Sequence, residues 1–458
     1  MLLIFVSLYL FITVLIGWFS SKLVKNSQDF VLAGRKMPTF VVASGLFATW
    51  FGSETVMGAS SEFLDKGLLG VIEDPFGAAL CLLLIGLFYA KPLYKLKLYT
   101  FSDYFRQRFG GKVEFISALF MIPSYFSWIA AQLIALAIII QSISGIPFIW
   151  GVMICASIVL FYTFLGGMWS ISITDTIQTV IIIGGLIYLA YYFYDNDNSL
   201  QLTRNHLPED FFRFTPKDKN TNSWLLYFSA WITIGWGSIP QQDVFQRVLS
   251  AKSEKAAVNG SIISSIMYLS VAFLPLSVVY FGSISHPELL TDDNQMFIPK
   301  LVLAHSNLFV QILFFGALIS AILSTCSAAV LAPATVVAEN ILKPYMGDKI
   351  NDKDLLKIMR NSTVVITMVA VGMTFIKTNI YELVGEASAL SLVALFVPLT
   401  AGLYWKKANK TGASLSMILG TTAWLIALNF HLQLGPPAVF GLLISILGMV
   451  GGSLFSKT

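Results

Sequence analysis

Charge is what this 458-residue chain has least of. Only 12% of its residues are Asp, Glu, Lys or Arg, where a soluble globular protein carries about 25%. Histidine is scarce too: His206, His286, His305 and His431 all fall in or beside polar connections. Cysteine is scarcer still. Cys81, Cys155 and Cys326 each lie inside an apolar stretch, which excludes a disulfide framework and a CxxC metal site. No HExxH, GxSxG or Walker-type loop occurs, so nothing carries hydrolase chemistry and the chain does not read as an enzyme. What is present is 56% hydrophobic residues, 14% aromatics, 33 glycines and a mean hydropathy of +0.75. That is the composition of an all-α polytopic membrane protein, and it excludes soluble folds, nucleic-acid binders and secreted scaffolds.

A membrane-spanning helix needs about 20 largely apolar residues. Thirteen windows meet that need, at approximately 2–20, 38–64, 68–96, 113–144, 147–165, 170–194, 223–247, 257–284, 307–341, 361–377, 380–404, 411–430 and 435–455. The first has no basic residue before its apolar run and no small-residue cleavage site before Lys22, so it reads as a helix and not a signal peptide. With the N-terminus outside and connections alternating, 22 of the 29 Lys and Arg fall inside, Arg247 among them. The positive-inside rule then places the C-terminus in the cytoplasm. The 195–222 connection is too short for a soluble domain, and 286–305 has room for a short surface helix. The expectation is one transmembrane domain over 1–458: a first helix and cytoplasmic loop (1–37), a first repeat (38–194), an external loop (195–222), a second repeat (223–404) and two C-terminal helices (405–458).

The division into repeats comes from two helices that break their own pattern. Span 2 places Gly52, Ser53, Glu54, Thr55 and Gly58 at mid-membrane depth, and span 7 places Gly235, Gly237 and Ser238 before Pro240. Glycine and proline weaken a helix, and in a bilayer the freed backbone groups need protein, water or a ligand. A glutamate at that depth marks a functional site by default. Helices 2–6 and 7–11 start on opposite sides of the membrane, so the two halves form an inverted 5+5 repeat, each opening with its broken helix. Such paired breaks point to a transporter binding site, while packing glycines and a tolerated kink are the bland alternative.

On span 9, Ala321, Ser324 and Thr325 share one helical face. Two hydroxyls and a carbonyl form a hard-oxygen cluster suited to sodium, which unwound carbonyls near Ala48 and Phe51 would complete. Hydroxyls bonded to their own helix are the competing reading. Asp175 in span 6 either caps its helix, joins Ser327 around a second cation, or belongs to an inner gate. Trp50, Trp236, Trp128 and Tyr125 are candidate rings for an organic cation. Glu73 and Asp74 either cap span 3 or line an outer vestibule, and Glu386 receives no role.

These residues sit in stretches that resemble the sodium:solute symporter family nearly end to end. They are FVLAGRKMP (30–38), ATWFGSETVMG (48–58), LYTFSDYFRQRFG (98–110), TFLGGMWSISITDTIQ (163–178), IPQQDVFQRVLSAKS (239–253) and SAILSTCSAAVLAP (320–333). Within the family the look is closest to choline- and proline-type symporters. The resemblance implies the LeuT-type fold, with one extra helix before and two after the repeats. It implies a sodium site at Ala48, Phe51, Ala321, Ser324 and Thr325, and in some members a second sodium at positions matching Asp175 and Ser327. The chain departs from the pattern at Ala328, where a serine is expected, and at Gln241, where choline transporters have tryptophan. Ser53 and Glu54 replace glycines of that subgroup.

The expected function is sodium-coupled symport of a small zwitterion or organic cation such as proline, betaine or choline, by alternating access. Trp50, Gly52, Ser53, Glu54, Trp236 and Gln241 are the expected substrate contacts. The chain is expected in a bacterial inner (plasma) membrane, working as a monomer with Na+ and its solute as partners, and with no cofactor beyond that coupling ion. A sugar or carboxylate vitamin is the alternative solute. A channel would need a continuous polar pore, and a receptor would need an output domain beyond the last span.

Overall fold

The computed structural model describes all residues except 197–209, 219, 292, 348–349, 431–434 and 457–458. His206, His431, Lys349, Lys457 and much of the 195–222 connection therefore lie outside the described residues. The principal helices are α1 (Leu2–Ser20), α2 (Thr39–Trp50), α3 (Ala59–Lys66), α4 (Ala78–Leu84), α5 (Phe101–Phe109) and α6 (Gly111–Ser144). They continue with α7 (Phe148–Asn196), α8 (Thr221–Gly235), α9 (Gln242–Ser250), α10 (Glu254–Ser285) and α11 (Phe297–His305). The last are α12 (Leu308–Val336), α13 (Asp352–Met373), α14 (Ile380–Ser391), α15 (Lys410–Asn429) and α16 (Pro437–Phe455). No strand occurs among the described residues.

Ten described helical runs are long and apolar enough to cross a membrane. They number fewer than the thirteen sequence windows for three reasons. Residues Phe148–Tyr194 form one run, although Gly167 turns the chain at φ 50°, where any Cβ would lie 2.5 Å from Phe30. Glu54–Lys95 likewise form one run, and the seventh window is split between α8 and α9, each too short to span alone.

Polar residues fix the helix ends. Asn220, Asn307, Asn351, Asn379 and Asn409 each accept a backbone N–H of the first turn, as Ser253 does at α10, and Thr100 with Asp103 forms a reciprocal cap on α5. Each such cap contributes about 1 kcal/mol. Between the ends, burial separates two kinds of helix. Every residue of α12 from Ala317 to Val336 is buried, as is α2 from Val42 to Trp50. Helices α1, α13 and α16 expose Ile4, Phe11, Met368 and Leu447, the apolar outer surface that lipid requires. Small residues let α15 and α16 pack closely, with Gly412 against Ser453 and Gly420 against Ser445. Helix α2 sits at the centre, packed on α7, α9, α10 and α12, so its break faces the interior.

Candidate functional site

Helix α2 ends at Trp50 because Phe51 turns out of the helical region (φ −83°, ψ 76°), and the chain resumes as a π-helical turn at Glu54–Gly58. The freed Trp50 carbonyl accepts the Tyr268 hydroxyl at 3.0 Å. Gln132 on α6 spans the break: its amide oxygen takes the Ser53 N–H (3.0 Å) and its amide nitrogen donates to Glu54 Oε2 (2.7 Å). No side chain fits at Gly52, where a Cβ would lie 2.7 Å from Glu54 Oε2, 2.7 Å from Thr325 Oγ1 and 2.8 Å from Gln132 Oε1. The second break, between α8 and α9, is held to α14 through Ser238 and Ser388, whose hydroxyls are 2.9 Å apart.

Both breaks open on one narrow cavity of about 20 Å³, which a solute larger than water must widen to enter. Trp50, Glu54, Asp74, Trp128, Tyr268 and Gln241 line it, with Ala78, Ile234, Ser238, Val384 and Ser388. Among the described residues, two carboxylates thus face the cavity and no Lys, Arg or His does. Glu54 also accepts from the Trp128 indole (3.3 Å), and Asp74 accepts from Thr55 (2.8 Å) and Tyr268 (2.8 Å). A third acid, Asp243, is buried just behind, accepting from Trp50 Nε1 at 3.3 Å and from the Tyr125 hydroxyl.

The expected substrate contacts are placed unevenly. Trp50, Glu54 and Gln241 line the cavity; Gly52 and Ser53 lie behind it, where the Ser53 hydroxyl is buried without a hydrogen-bond partner. Trp236 does not line it, being stacked on Phe396 at 5.3 Å. Tyr125 lies one layer back, stacked on Trp128 at 5.9 Å. Asp74 faces the cavity, and Glu386 is paired with Lys377 at 2.7 Å outside it.

The ion face is next to this cavity. Thr325 Oγ1 bridges the carbonyls of Ala48 (3.2 Å) and Ala321 (3.1 Å), tying α12 to α2. Phe51 is buried there, its ring stacked on Phe47. Ser324 turns the other way and donates to Asp175 Oδ1 at 2.5 Å, while Asp175 Oδ2 takes the Arg247 guanidinium at 2.9 Å. Arg247 also donates to the Gly45 carbonyl (2.8 Å), and both partners of this ion pair are buried. Arg247, counted among the inside loop cations from sequence, is therefore not a loop cation. Ser327 bonds back to the Ser324 carbonyl (2.9 Å) and makes no hydrogen bond to Asp175.

Sequence reasoning missed Gln132, Tyr268, Asp243 and Arg247. Gln132 carried a signal, a lone amide within the apolar run AAQLIALAI. Asp243 and Arg247, four apart just past the second break, also carried one, because that spacing places both on one helical face.

The sodium:solute symporter family model matches residues 30–420. The high-affinity choline transporter 1 of Drosophila melanogaster is 28% identical over 429 residues, 91% of this chain and 67% of that protein. The sodium/pantothenate symporter of Haemophilus influenzae is 27% identical over 446 residues, 92% of this chain and 89% of that protein. In fold, a solved Na+-coupled sialic acid symporter in a substrate-bound outward-open state covers 100% of this chain and 98% of its own, with a TM-score of 0.83 at 18% identity.

Proposed function

This chain belongs to the sodium:solute symporter family, and we propose that its substrate is a small organic cation, or a zwitterion that leads with its ammonium group. It is a multi-pass, sodium-coupled symporter and not an enzyme. The observation supporting the cationic substrate is the cavity itself, with Glu54 and Asp74 facing it beside Trp50, Trp128 and Tyr268 and no basic side chain among the described residues that line it. Burying a carboxylate without a counter-charge is costly, and an entering cation relieves that cost. Rings on the cavity wall add cation–π attraction, worth more in a desolvated site.

In the proposed cycle, sodium enters where the Thr325 hydroxyl proton now bridges two carbonyls, with Ala48, Phe51, Ala321, Ser324 and Thr325 as oxygen donors. A hydroxyl has one proton and two lone pairs. Ser324 can therefore keep its proton on Asp175 and still turn a lone pair to the ion. Asp175, already matched to Arg247, orients Ser324, which favours one sodium over a second at Asp175 and Ser327. Sodium would lock α2 to α12 and so complete the cavity wall at Trp50 and Glu54. Each charge moved inward through 100 mV contributes about 2.3 kcal/mol, enough to concentrate a solute. The proposal includes thirteen passes with the N-terminus outside, the repeats at 38–194 and 223–404, and action as a monomer in the plasma membrane.

A second reading has its own support. Gln241, Ser238 and Ser388 are neutral partners for hydroxyls, and the H. influenzae relative is a sodium/pantothenate symporter. Uptake into proteoliposomes of labelled choline, betaine, proline, pantothenate and glucose, with and without a sodium gradient, separates the two. Sodium-dependent accumulation of a cation or zwitterion is expected, and accumulation of pantothenate or glucose alone would overturn the cationic reading.

A further inference from the structure

Away from the cavity, three metal-ligating side chains converge at an aqueous end of the helices. His286 follows the last residue of α10 and stays in place through its N–H to the Gly282 carbonyl at 2.8 Å. Glu288 lies in the short turn Pro287–Leu289, whose proline restricts the backbone. His305 is the last residue of α11, two residues before the Asn307 cap of α12. Three separate elements therefore present these groups to one point.

Their geometry is close to that of a coordination site. Glu288 Oε1 lies 3.2 Å from His286 Nδ1 and 3.7 Å from His305 Nε2, and all three ligand atoms fall within 4.8 Å of one another. Zinc bonds of about 2.0–2.1 Å in a tetrahedron place neighbouring ligand atoms roughly 3.3 Å apart, so the separations here are near those of a filled site. The two imidazoles lie nearly parallel with centroids 3.6 Å apart. A metal ion takes the in-plane nitrogen lone pair of each imidazole, so the rings turn out of this stack to aim both nitrogens at one ion. The side chains keep 19%, 33% and 60% of their surface for His286, His305 and Glu288, which leaves an entry path and room for a water as fourth ligand.

We infer that His286, Glu288 and His305 bind a divalent transition-metal ion of the zinc type, and that this ion ties the end of α10 to the start of α12. Imidazole with carboxylate suits zinc and its borderline neighbours over magnesium or calcium. The consequence lies in what those helices carry. Helix α10 holds Tyr268 at the cavity, and α12 holds Ser324 and Thr325 at the ion face. A metal that fixes the distance between their ends restrains relative motion of the two, so bound metal slows the transport cycle.

The test uses the purified full chain with any affinity tag removed, titrated calorimetrically with zinc chloride. One zinc per chain is expected, and His286→Ala and His305→Ala each weaken binding by roughly tenfold or more. Cobalt(II) should give the intense visible bands of a tetrahedral site in the wild type and lose them in the double variant. Equal zinc affinity in wild type and double variant would overturn the site. In proteoliposomes, zinc should slow sodium-driven uptake by the wild type and leave the double variant unaffected, with both equally active before zinc is added. Zinc that binds without changing wild-type uptake would overturn the coupling between the two helices.

Discussion

Glu54→Gln is the substitution that tests the substrate pocket most sharply. Glutamine keeps the side chain's shape and removes its charge. The carboxylate now accepts from Gln132 Nε2 at 2.7 Å and Trp128 Nε1 at 3.3 Å, while Gln132 Oε1 is committed to the Ser53 N–H. A glutamine at 54 keeps one acceptor for Trp128 or Gln132 but brings an amide donor against another donor. That local loss costs about 1 kcal/mol and falls on free and loaded states alike. The lost charge acts on the two states differently: it removes attraction to the cation from the loaded state and relieves the free state of a buried carboxylate without a counter-charge. Two unit charges 4 Å apart at an effective dielectric constant near 20 attract by about 4 kcal/mol. Part of that attraction is offset by desolvating the substrate, and Asp74 still faces the cavity. A net loss of about 2–3 kcal/mol remains, which raises the KM for an organic cation roughly 30- to 150-fold. The assay is sodium-gradient-driven uptake in proteoliposomes, with the KM for substrate and the half-saturating sodium concentration measured separately. A substrate KM within twofold of wild type would refute the role of Glu54. A raised half-saturating sodium with unchanged substrate KM would move Glu54 to the ion site, whose Thr325 hydroxyl converges on Gly52 together with Glu54 Oε2.

The other sites make predictions of their own. Thr325→Val removes the oxygen that joins the Ala48 and Ala321 carbonyls, and it should raise the half-saturating sodium concentration by about tenfold, the equivalent of 1.4 kcal/mol; an unchanged sodium curve would remove Thr325 from the ion site. Gly52→Ala places a methyl group 2.7–2.8 Å from three oxygens. A strain of about 1–3 kcal/mol should appear as uptake lost from a protein that still reaches the membrane, and wild-type uptake would show that the break relaxes freely. Arg247→Met leaves Asp175 buried without its cation, costing about 3–5 kcal/mol and lowering the apparent melting temperature, with partial recovery in the Asp175→Asn/Arg247→Met double variant. Additive losses in that pair would mean that the two side chains do not act as a unit.

The membrane helices and both breaks were legible because they depend on local quantities. Twenty apolar residues in a row, a glycine-rich interruption and a glutamate inside it all show in sequence alone. Helix length was less legible, since the turn at Gly167 and the shortness of α8 and α9 depend on what each packs against. Side-chain direction was not legible at all. Trp236 and Trp50 occupy similar breaks, yet one stacks on Phe396 and the other faces the cavity. Asp175 read equally well as a helix cap or an ion ligand until Arg247, 72 residues away, was found against it.

The sequence by itself determined that this chain is built of membrane-length apolar helices, that glycines interrupt two of them, and that Ala321, Ser324 and Thr325 fall within one helical turn of each other. Composition and spacing suffice for that, because hydrophobic length and helical period are properties of contiguous residues. The tertiary structure alone decided which groups meet. It turned Ser324 toward Asp175 and Thr325 toward Ala48, laid Gln132 across the first break, and set Asp74 and Tyr268 beside Glu54. Those pairings join residues tens to hundreds of positions apart. They are selected because a buried carboxylate or hydroxyl must find its partner inside the protein once lipid has replaced water outside it.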